Sequence, residues 1–231
     1  MRAFGVTAEQ RGAAEWLVEP GAYHATDFLV EPDASAATYL WAAEKLTGGE
    51  IDLGVPASAF TQPDAKARNI IAQFPNMPSV IEGSQMQDAI PTLAVLAAYN
   101  ERPVRFTGIA NLRVKECDRI AALFKGLNGI KQGLAGEEED DLIVYGNPKL
   151  AGASVDASID TFADHRIAMS FALAGLKTFG VTILDPGCVA KTFPAYWDTL
   201  ASLGVTRNIA ASGCRYIFSQ PATRCSRLSA G

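Results

Sequence analysis

Three times in this chain an aspartate opens an alanine-rich run with the character of a helix, and that recurrence constrains the fold more than any other feature. The runs are Asp33-Ala-Ser-Ala-Ala-Thr-Tyr-Leu-Trp-Ala-Ala, Asp88-Ala-Ile-Pro-Thr-Leu-Ala-Val-Leu-Ala-Ala and Asp164-His-Arg-Ile-Ala-Met-Ser-Phe-Ala-Leu-Ala. Aspartate is a favoured N-cap whose charge suits the positive end of the helix dipole, so each is read as a cap. Pro91 is tolerated because it falls in the first turn. A β-rich run follows each helix, over 50–55, 103–108 and 181–185, beginning 17, 15 and 17 residues after the respective aspartate. A second helix comes next, over 64–74, 116–127 and 193–203, and strand-like runs at 78–81 and 142–145 follow the first two of these. The pattern is an internal repeat of strand, helix, strand, helix, strand. The first helices carry few polar residues on any face, which predicts their burial. The expected architecture is an α/β (α+β) domain with pseudo-threefold repetition around three buried helices.

Composition narrows the function classes. With 231 residues, 48% hydrophobic and 19% charged, the chain buries a sizeable core and is not broadly disordered. The balance of 20 basic and 25 acidic residues gives −5, which argues against a general nucleic-acid binder. The longest apolar stretch, 89–99, falls short of the roughly 18 residues of a membrane span. No basic region followed by a long apolar run opens the chain, so a cytoplasmic location is expected. Met1-Arg-Ala-Phe-Gly-Val reads as the end of a helix and a turn. Residues 206–231 contain Arg207, Arg215, Arg224 and Arg227 and no acidic residue, so this tail carries +4 and the rest −9. It is read as a basic tail, disordered or non-native. Cys117, Cys188, Cys214 and Cys225 form no Cys-x-x-Cys pair and are joined by only two histidines, His24 and His165. Neither a metal site nor a disulfide framework is expected, and no base adjacent in sequence activates a cysteine.

The candidate chemistry sits in three charged loops at matching places in the repeat. Residues 111–119, Asn-Leu-Arg-Val-Lys-Glu-Cys-Asp-Arg, pack three cations and two carboxylates together. With a helix starting near Glu116, Glu116 and Arg119 share a face, while Lys115 and Arg119 lean together as like charges, for which a bound anion supplies a motive. Asp164-His165-Arg166 places cations at a helix start that favours anions. Lys191 follows Asp185-Pro-Gly-Cys-Val-Ala between a strand and a helix. Together these loops aim Lys115, Arg119, Arg166 and Lys191 at one anionic ligand. Asp33 is read as an N-cap only. Asp88 looks the same locally, but the polar Gly83-Ser-Gln-Met-Gln before it suits a ligand. The acidic run 137–141 is read as a solvated hairpin turn.

Asn111-Leu-Arg-Val-Lys-Glu-Cys-Asp-Arg-Ile, Asp164-His-Arg-Ile-Ala-Met and Asp185-Pro-Gly-Cys-Val-Ala-Lys-Thr-Phe-Pro resemble, in order and spacing, the signature segments of the 5-enolpyruvylshikimate-3-phosphate synthase family. The resemblance covers about 1–205 and only the family's C-terminal half. It implies two similar domains of three βαβαββ units each, the inverse α/β barrel of enolpyruvyl transferases, here incomplete. Residues 1–30 would be a remnant of the upper domain and 31–205 the lower one. The implied reaction moves the enolpyruvyl group of phosphoenolpyruvate to the 5-hydroxyl of shikimate 3-phosphate and releases phosphate, with no metal or other cofactor. By the same resemblance Asp88 accepts a proton, Glu116 is a second acid–base group, and Lys191 is catalytic. Asn111 and Lys115 hold shikimate 3-phosphate; Arg119, Arg166 and Lys191 hold phosphoenolpyruvate; His165 lines the site. Glyphosate is the implied inhibitor, and a monomer is expected. The family's basic N-terminal segment, its Ser-Ser-Gln motif and a strand completing the lower domain are missing, and Ala195 replaces the usual aspartate after Phe-Pro. An anion-binding fragment that needs a complementing N-terminal half is the alternative; a transferase acting on a UDP-sugar is a weaker one.

Overall fold

In a computed structural model, residues 1–203, 207–209 and 215–218 are described. The chain divides into two compact units, Met1–Pro32 and Asp33–Gly231. The first unit opens with the short 3-10 turn Arg2–Phe4, ended by Gly5 in the left-handed region at φ 82°. A two-stranded antiparallel ribbon follows, β1 (Ala8–Gln10) and β2 (Trp16–Val18), in register Ala8 to Val18. Phe4 packs on Tyr23 and Phe28, with ring centroids 6.0 and 5.4 Å apart.

The second unit is built on α1 (Ala34–Thr47), α3 (Ile90–Ala97) and α5 (His165–Gly175), the three alanine-rich runs. Every residue of α3 is buried, and in α5 only Arg166 is not. Small side chains let the three helices approach one another, and the few polar groups inside are paired across them. Thr38 and Thr92 meet hydroxyl to hydroxyl at 3.2 Å between α1 and α3. Tyr99 donates to the Ala174 carbonyl at 3.1 Å and meets Thr178 Oγ1 at 2.7 Å, tying the end of α3 to α5.

Around this core two units share one topology. In one, β3 (Val80–Glu82), α3, β4 (Val104–Thr107), α4 (Arg119–Ile130), β5 (Ala135–Glu138) and β6 (Asp141–Val144) form a sheet of order β3-β4-β6-β5. In the other, β7 (Ser154–Ile159), α5, β8 (Phe179–Leu184), α6 (Tyr196–Ser202), β9 (Arg207–Ile209) and β10 (Arg215–Phe218) give β7-β8-β10-β9. In each the first two strands are parallel and the remaining pairs antiparallel. Gly180 (φ 78°) lies where β8 meets β7, and a Cβ there would collide with the Val155 carbonyl oxygen. Among the described residues no helix is long and apolar enough to cross a membrane.

The structure corrects several expectations. The tail, read from its charge as a disordered or non-native extension, supplies β9 and β10, and Ile217 pairs with Thr182 of β8. The remaining tail residues, with Cys214 and Cys225, lie outside the described residues. The run 50–55 is not a strand; it holds a single bridge residue, Asp52, and no described sheet forms beside α1. An open groove of 460 Å³ lies there instead, lined by Trp41, Ile51, Leu53, Phe60 and Arg68 among others. The run 78–81 contributes β3, the opening strand of the next unit. The helix over 64–74 is short, a 3-10 turn at Pro63–Lys66 running into α2 (Ala67–Ile71).

Candidate active site

All the candidate side chains stand on strand-to-helix connections. The loop from β3 to α3 carries Asp88, and the loop from β4 to α4 carries Asn111, Lys115 and Glu116 and delivers Arg119. The loop from β7 to α5 carries Asp164 and delivers His165 and Arg166 in the first turn of α5, and that from β8 to α6 carries Lys191. Because β3 and β4 are parallel, as are β7 and β8, these loops leave the carboxyl ends of neighbouring strands. Open α/β sheets bind ligands at that edge.

The three aspartates that look alike in sequence do different work. Asp33 caps α1 by accepting from Ala36 N at 3.1 Å, and Asp164 caps α5 by accepting from Arg166 N at 2.8 Å. Asp88 makes no capping bond: it lies in a 3-10 turn, Gln87–Ala89, ahead of α3. Its oxygens are taken by two guanidinium groups instead, Arg119 Nη1 at 3.1 Å and Arg166 Nη2 at 2.8 Å. Charge-assisted bonds of this kind outweigh a neutral cap.

Arg119 is 1% exposed and grips three carboxylates: Asp164 through Nε at 2.7 Å, Glu116 through Nη2 at 2.6 Å, and Asp88. Glu116 and Arg119 therefore meet as expected, but not along a helix face. The helix starts at Arg119 with Asp118 as its cap, and Glu116 lies in the turn before it. Lys115 is extended and exposed, so its predicted crowding against Arg119 does not occur. Asn111 is exposed as well, and neither residue pairs with another described side chain. Lys191 Nζ reaches Glu116 Oε1 at 2.8 Å. That bond, opposed in part by burial, pulls the Glu116 carboxyl down to about 2, so it is ionised at neutral pH.

His165 is buried and neither ring nitrogen meets a partner among the described residues. Burial, and after it the charge of Arg166, lowers its pKa, leaving a neutral imidazole. The backbone leading into this segment is strained. Phe162 and Ala163 both occupy the left-handed region, at φ 51° and 55°, which costs roughly 1–2 kcal/mol for each side-chain-bearing residue. Strain of this kind persists where surrounding contacts over-determine it, here the bonds that Arg119 and the α5 backbone make to Asp164.

Three residues of the site escaped the sequence reading. Asp164 was recognised only as a cap, yet it is fully buried and holds Arg119. Asp64 places a buried Oδ1 without a described partner, and burial followed by the charge of Asp88 raises its pKa. Tyr39, on α1, encloses a hydroxyl without a hydrogen-bond partner among the described residues, and burial pushes its pKa up to about 12. Only Asp164 had a visible signal, its place directly before His165-Arg166. The two described cysteines, Cys117 and Cys188, are in no disulfide, and burial pushes their thiols up to about 12 and about 11, so neither is a thiolate at neutral pH. Among the described residues no group of His, Cys, Asp or Glu is arranged to hold a metal ion.

The family model for EPSP synthase (3-phosphoshikimate 1-carboxyvinyltransferase) matches residues 1–200. The chain belongs to the EPSP synthase family. Proteins from Rhizobium etli (strain CIAT 652) and Pseudomonas syringae pv. syringae (strain B728a), both named 3-phosphoshikimate 1-carboxyvinyltransferase, are 70% and 71% identical over 206 residues. That alignment covers 89% of this chain, and the chain spans about half (49%) the length of these curated relatives. The EPSP synthase structure from Acinetobacter baumannii superposes with a TM-score of 0.67 at 28% identity, over 87% of this chain and 52% of that one. An enolpyruvyl transferase, NikO from Streptomyces tendae, shares the fold at a TM-score of 0.60 and 19% identity, over 88% of this chain and 51% of that one. The EPSP synthase family is one of transferases, and the mixed α/β repeat seen here is its fold.

Proposed function

We propose that this chain supplies the lower-domain half of an active site that transfers the enolpyruvyl group of phosphoenolpyruvate to the 5-hydroxyl of shikimate 3-phosphate. The reaction releases phosphate and is a step toward chorismate and the aromatic amino acids. The observation that carries the reading is the convergence of Arg119 and Arg166 on the two oxygens of Asp88, beside the Lys191–Glu116 pair. An addition–elimination on phosphoenolpyruvate needs cations for its phosphate and carboxylate and a carboxylate to take the proton of the attacking hydroxyl. Arg166 and Lys191 offer cationic groups. Arg119, already held by three carboxylates, reaches a ligand by exchanging one of them. Asp88 accepts the hydroxyl proton as the 5-oxygen bonds to C2, while C3 takes a proton from the Lys191 ammonium as the C2–C3 double bond is lost. Glu116, ionised, is suited to taking a proton back from C3 as the double bond re-forms and the C2–phosphate bond breaks, with phosphate as the leaving group. Asn111 and Lys115, exposed and unpaired, are free for shikimate 3-phosphate; His165, neutral, lines the same cleft.

In this reading residues 1–30 begin as a remnant of the upper domain, glyphosate competes at the phosphoenolpyruvate position, and the protein is cytoplasmic and monomeric. Full activity requires the other half. Two features support that: the chain spans half the length of its relatives, and the repeat around α1 has no described sheet. Losing one charge-assisted hydrogen bond costs about 1.5–3 kcal/mol, and a site split between two domains loses several.

The test is phosphate release from phosphoenolpyruvate with shikimate 3-phosphate, for the chain alone and with the complementary half added as a separate polypeptide. Little or no turnover alone and clear turnover together is the expected outcome. In the complemented protein Asp88→Asn should lower turnover by about 10²–10⁴-fold, the usual contribution of a general base. No turnover in either state would favour a non-catalytic anion-binding module, and turnover only with a UDP-sugar acceptor would favour the related transferase.

A further inference from the structure

We infer that Asp88 is a built-in competitor of the ligand: its carboxylate occupies the two guanidinium ends that an incoming anion must reach, and among the carboxylates on Arg119 it is the one that gives way. Both of its side-chain bonds go to arginine, Nη1 of Arg119 at 3.1 Å and Nη2 of Arg166 at 2.8 Å. Unlike Asp33 and Asp164, which cap α1 and α5, it holds no backbone N–H of the helix it precedes. A carboxylate bridging two guanidinium groups stands where the negative group of a ligand would stand, and makes the same charge-assisted bonds.

The other two carboxylates on Arg119 are held from more than one side. Asp164 is wholly buried, takes Arg119 Nε at 2.7 Å and accepts from Arg166 N at 2.8 Å, so parting it from Arg119 would strand a charge in the interior. Glu116 makes the shortest of the three bonds, 2.6 Å, and Lys191 holds its other oxygen at 2.8 Å. Asp88 makes the longest, 3.1 Å, and its side chain is 32% exposed, so water solvates it as it leaves. One departure frees both arginines, which stand in the first turns of α4 and α5. The consequence for catalysis rests on the functional reading above. The carboxylate that takes the hydroxyl proton stays pinned to the arginines until phosphoenolpyruvate has taken its place, so the arrival of that substrate releases the base.

The competition is read without turnover, by titrating the full chain with phosphoenolpyruvate in phosphate-free buffer. Nitrogen-15 NMR of the guanidinium groups follows the binding, with Arg166→Lys identifying the Arg166 signals. Asp88→Asn keeps the size of the side chain and removes its charge. The Kd should fall about tenfold or more, the scale of one charge-assisted hydrogen bond, although the same substitution lowers turnover in the complemented protein. Asp33→Asn separates competition from the general field. That exposed charge also acts on Arg166, but its bond goes to Ala36 N and asparagine caps equally well. Its removal should change the Kd by less than about twofold, as for exposed charges generally. Equal or weaker binding in a folded Asp88→Asn protein, or no binding in either protein, would overturn the inference, and so would an equal gain from Asp33→Asn. In the unsubstituted chain the Asp88 carboxyl carbon should shift as phosphoenolpyruvate is added, and an unmoved signal would overturn the inference too. Tighter binding by Asp88→Asn, with no turnover in the complemented parent, would count against the functional reading alone.

Discussion

Arg113 and Arg119 lie in one segment, and each gathers three carboxylates, but the two clusters serve different ends. Arg113 pairs with Asp118, Glu137 and Asp140 at 2.7–2.9 Å and also donates to the Glu139 carbonyl. Its partners come from the β5–β6 hairpin and, in Asp118, from the cap of α4, and its side chain is 27% exposed. Arg119 is enclosed, and its partners come from three different strand-to-helix loops. The outer cluster pins one hairpin against the start of α4, and water can replace any of its bonds. The inner cluster ties three loops to one point, and its Arg119–Asp164 pair, 1% and 0% exposed, has no water to fall back on. Identical chemistry thus becomes a local clasp or the keystone of a site according to burial alone.

The sharpest way to break that comparison is to remove each arginine in turn. Arg119→Ala strands the buried Asp164 carboxylate and should cost about 3–5 kcal/mol in chemical denaturation, the usual penalty for half of a buried ion pair. A loss below about 1 kcal/mol would mean the inner cluster is no more than the outer one. Arg166→Lys should leave stability nearly unchanged while weakening phosphoenolpyruvate binding in the complemented protein about tenfold or more, because a point charge replaces a planar fork. Calorimetric titration checks this, and equal affinity would remove Arg166 from the ligand site. Arg113→Ala should cost no more than about 1 kcal/mol by the same denaturation measurement, in line with exposed pairs. The smallest effect concerns acid. The folded pKa of Glu116, about 2, is below its free value, so its contribution is full above pH 4.5 and is lost as pH falls toward 2. Lys191→Ala should raise that carboxyl's pKa part of the way toward 4.5, because Arg119 still holds Glu116, as followed by carbon-13 NMR, with only a small change in stability because Lys191 is 60% exposed.

The repeat was legible because hydrophobic burial imposes its own spacing. The three alanine-rich helices, β4, β8 and the α4 region all fall where the pattern places them. Capping was not legible in the same way: Asp33, Asp88 and Asp164 share one local context, and only tertiary partners separate a cap from an arginine acceptor. The acidic run 137–141 was correctly read as a hairpin turn, but its arginine partners at 105 and 113 lie too far along the chain for pattern reading. Charge hid β9 and β10, since a strand needs only backbone partners and β8 offered a free edge. The run 50–55 shows the converse, with β-like residues but no neighbouring strand to complete a ladder. Tyr39 and Asp64 were invisible because burial of a polar atom is a property of the packed state.

Asp164 answers to two constraints that pull in different directions when it is replaced. One oxygen caps the first turn of α5, while the other takes Arg119 Nε and receives the Cys117 thiol at 3.6 Å. Asparagine would keep the cap and forfeit the ion pair; glutamate would keep a charge but displace it by a methylene from both the turn and the guanidinium. No single-step replacement retains both geometries, so drift at this position is blocked on every side. A compensating path would have to alter residue 119 at the same time, and that residue is tied in turn to 88 and 116. Four positions spread over some 77 residues of sequence are therefore bound to change together or not at all.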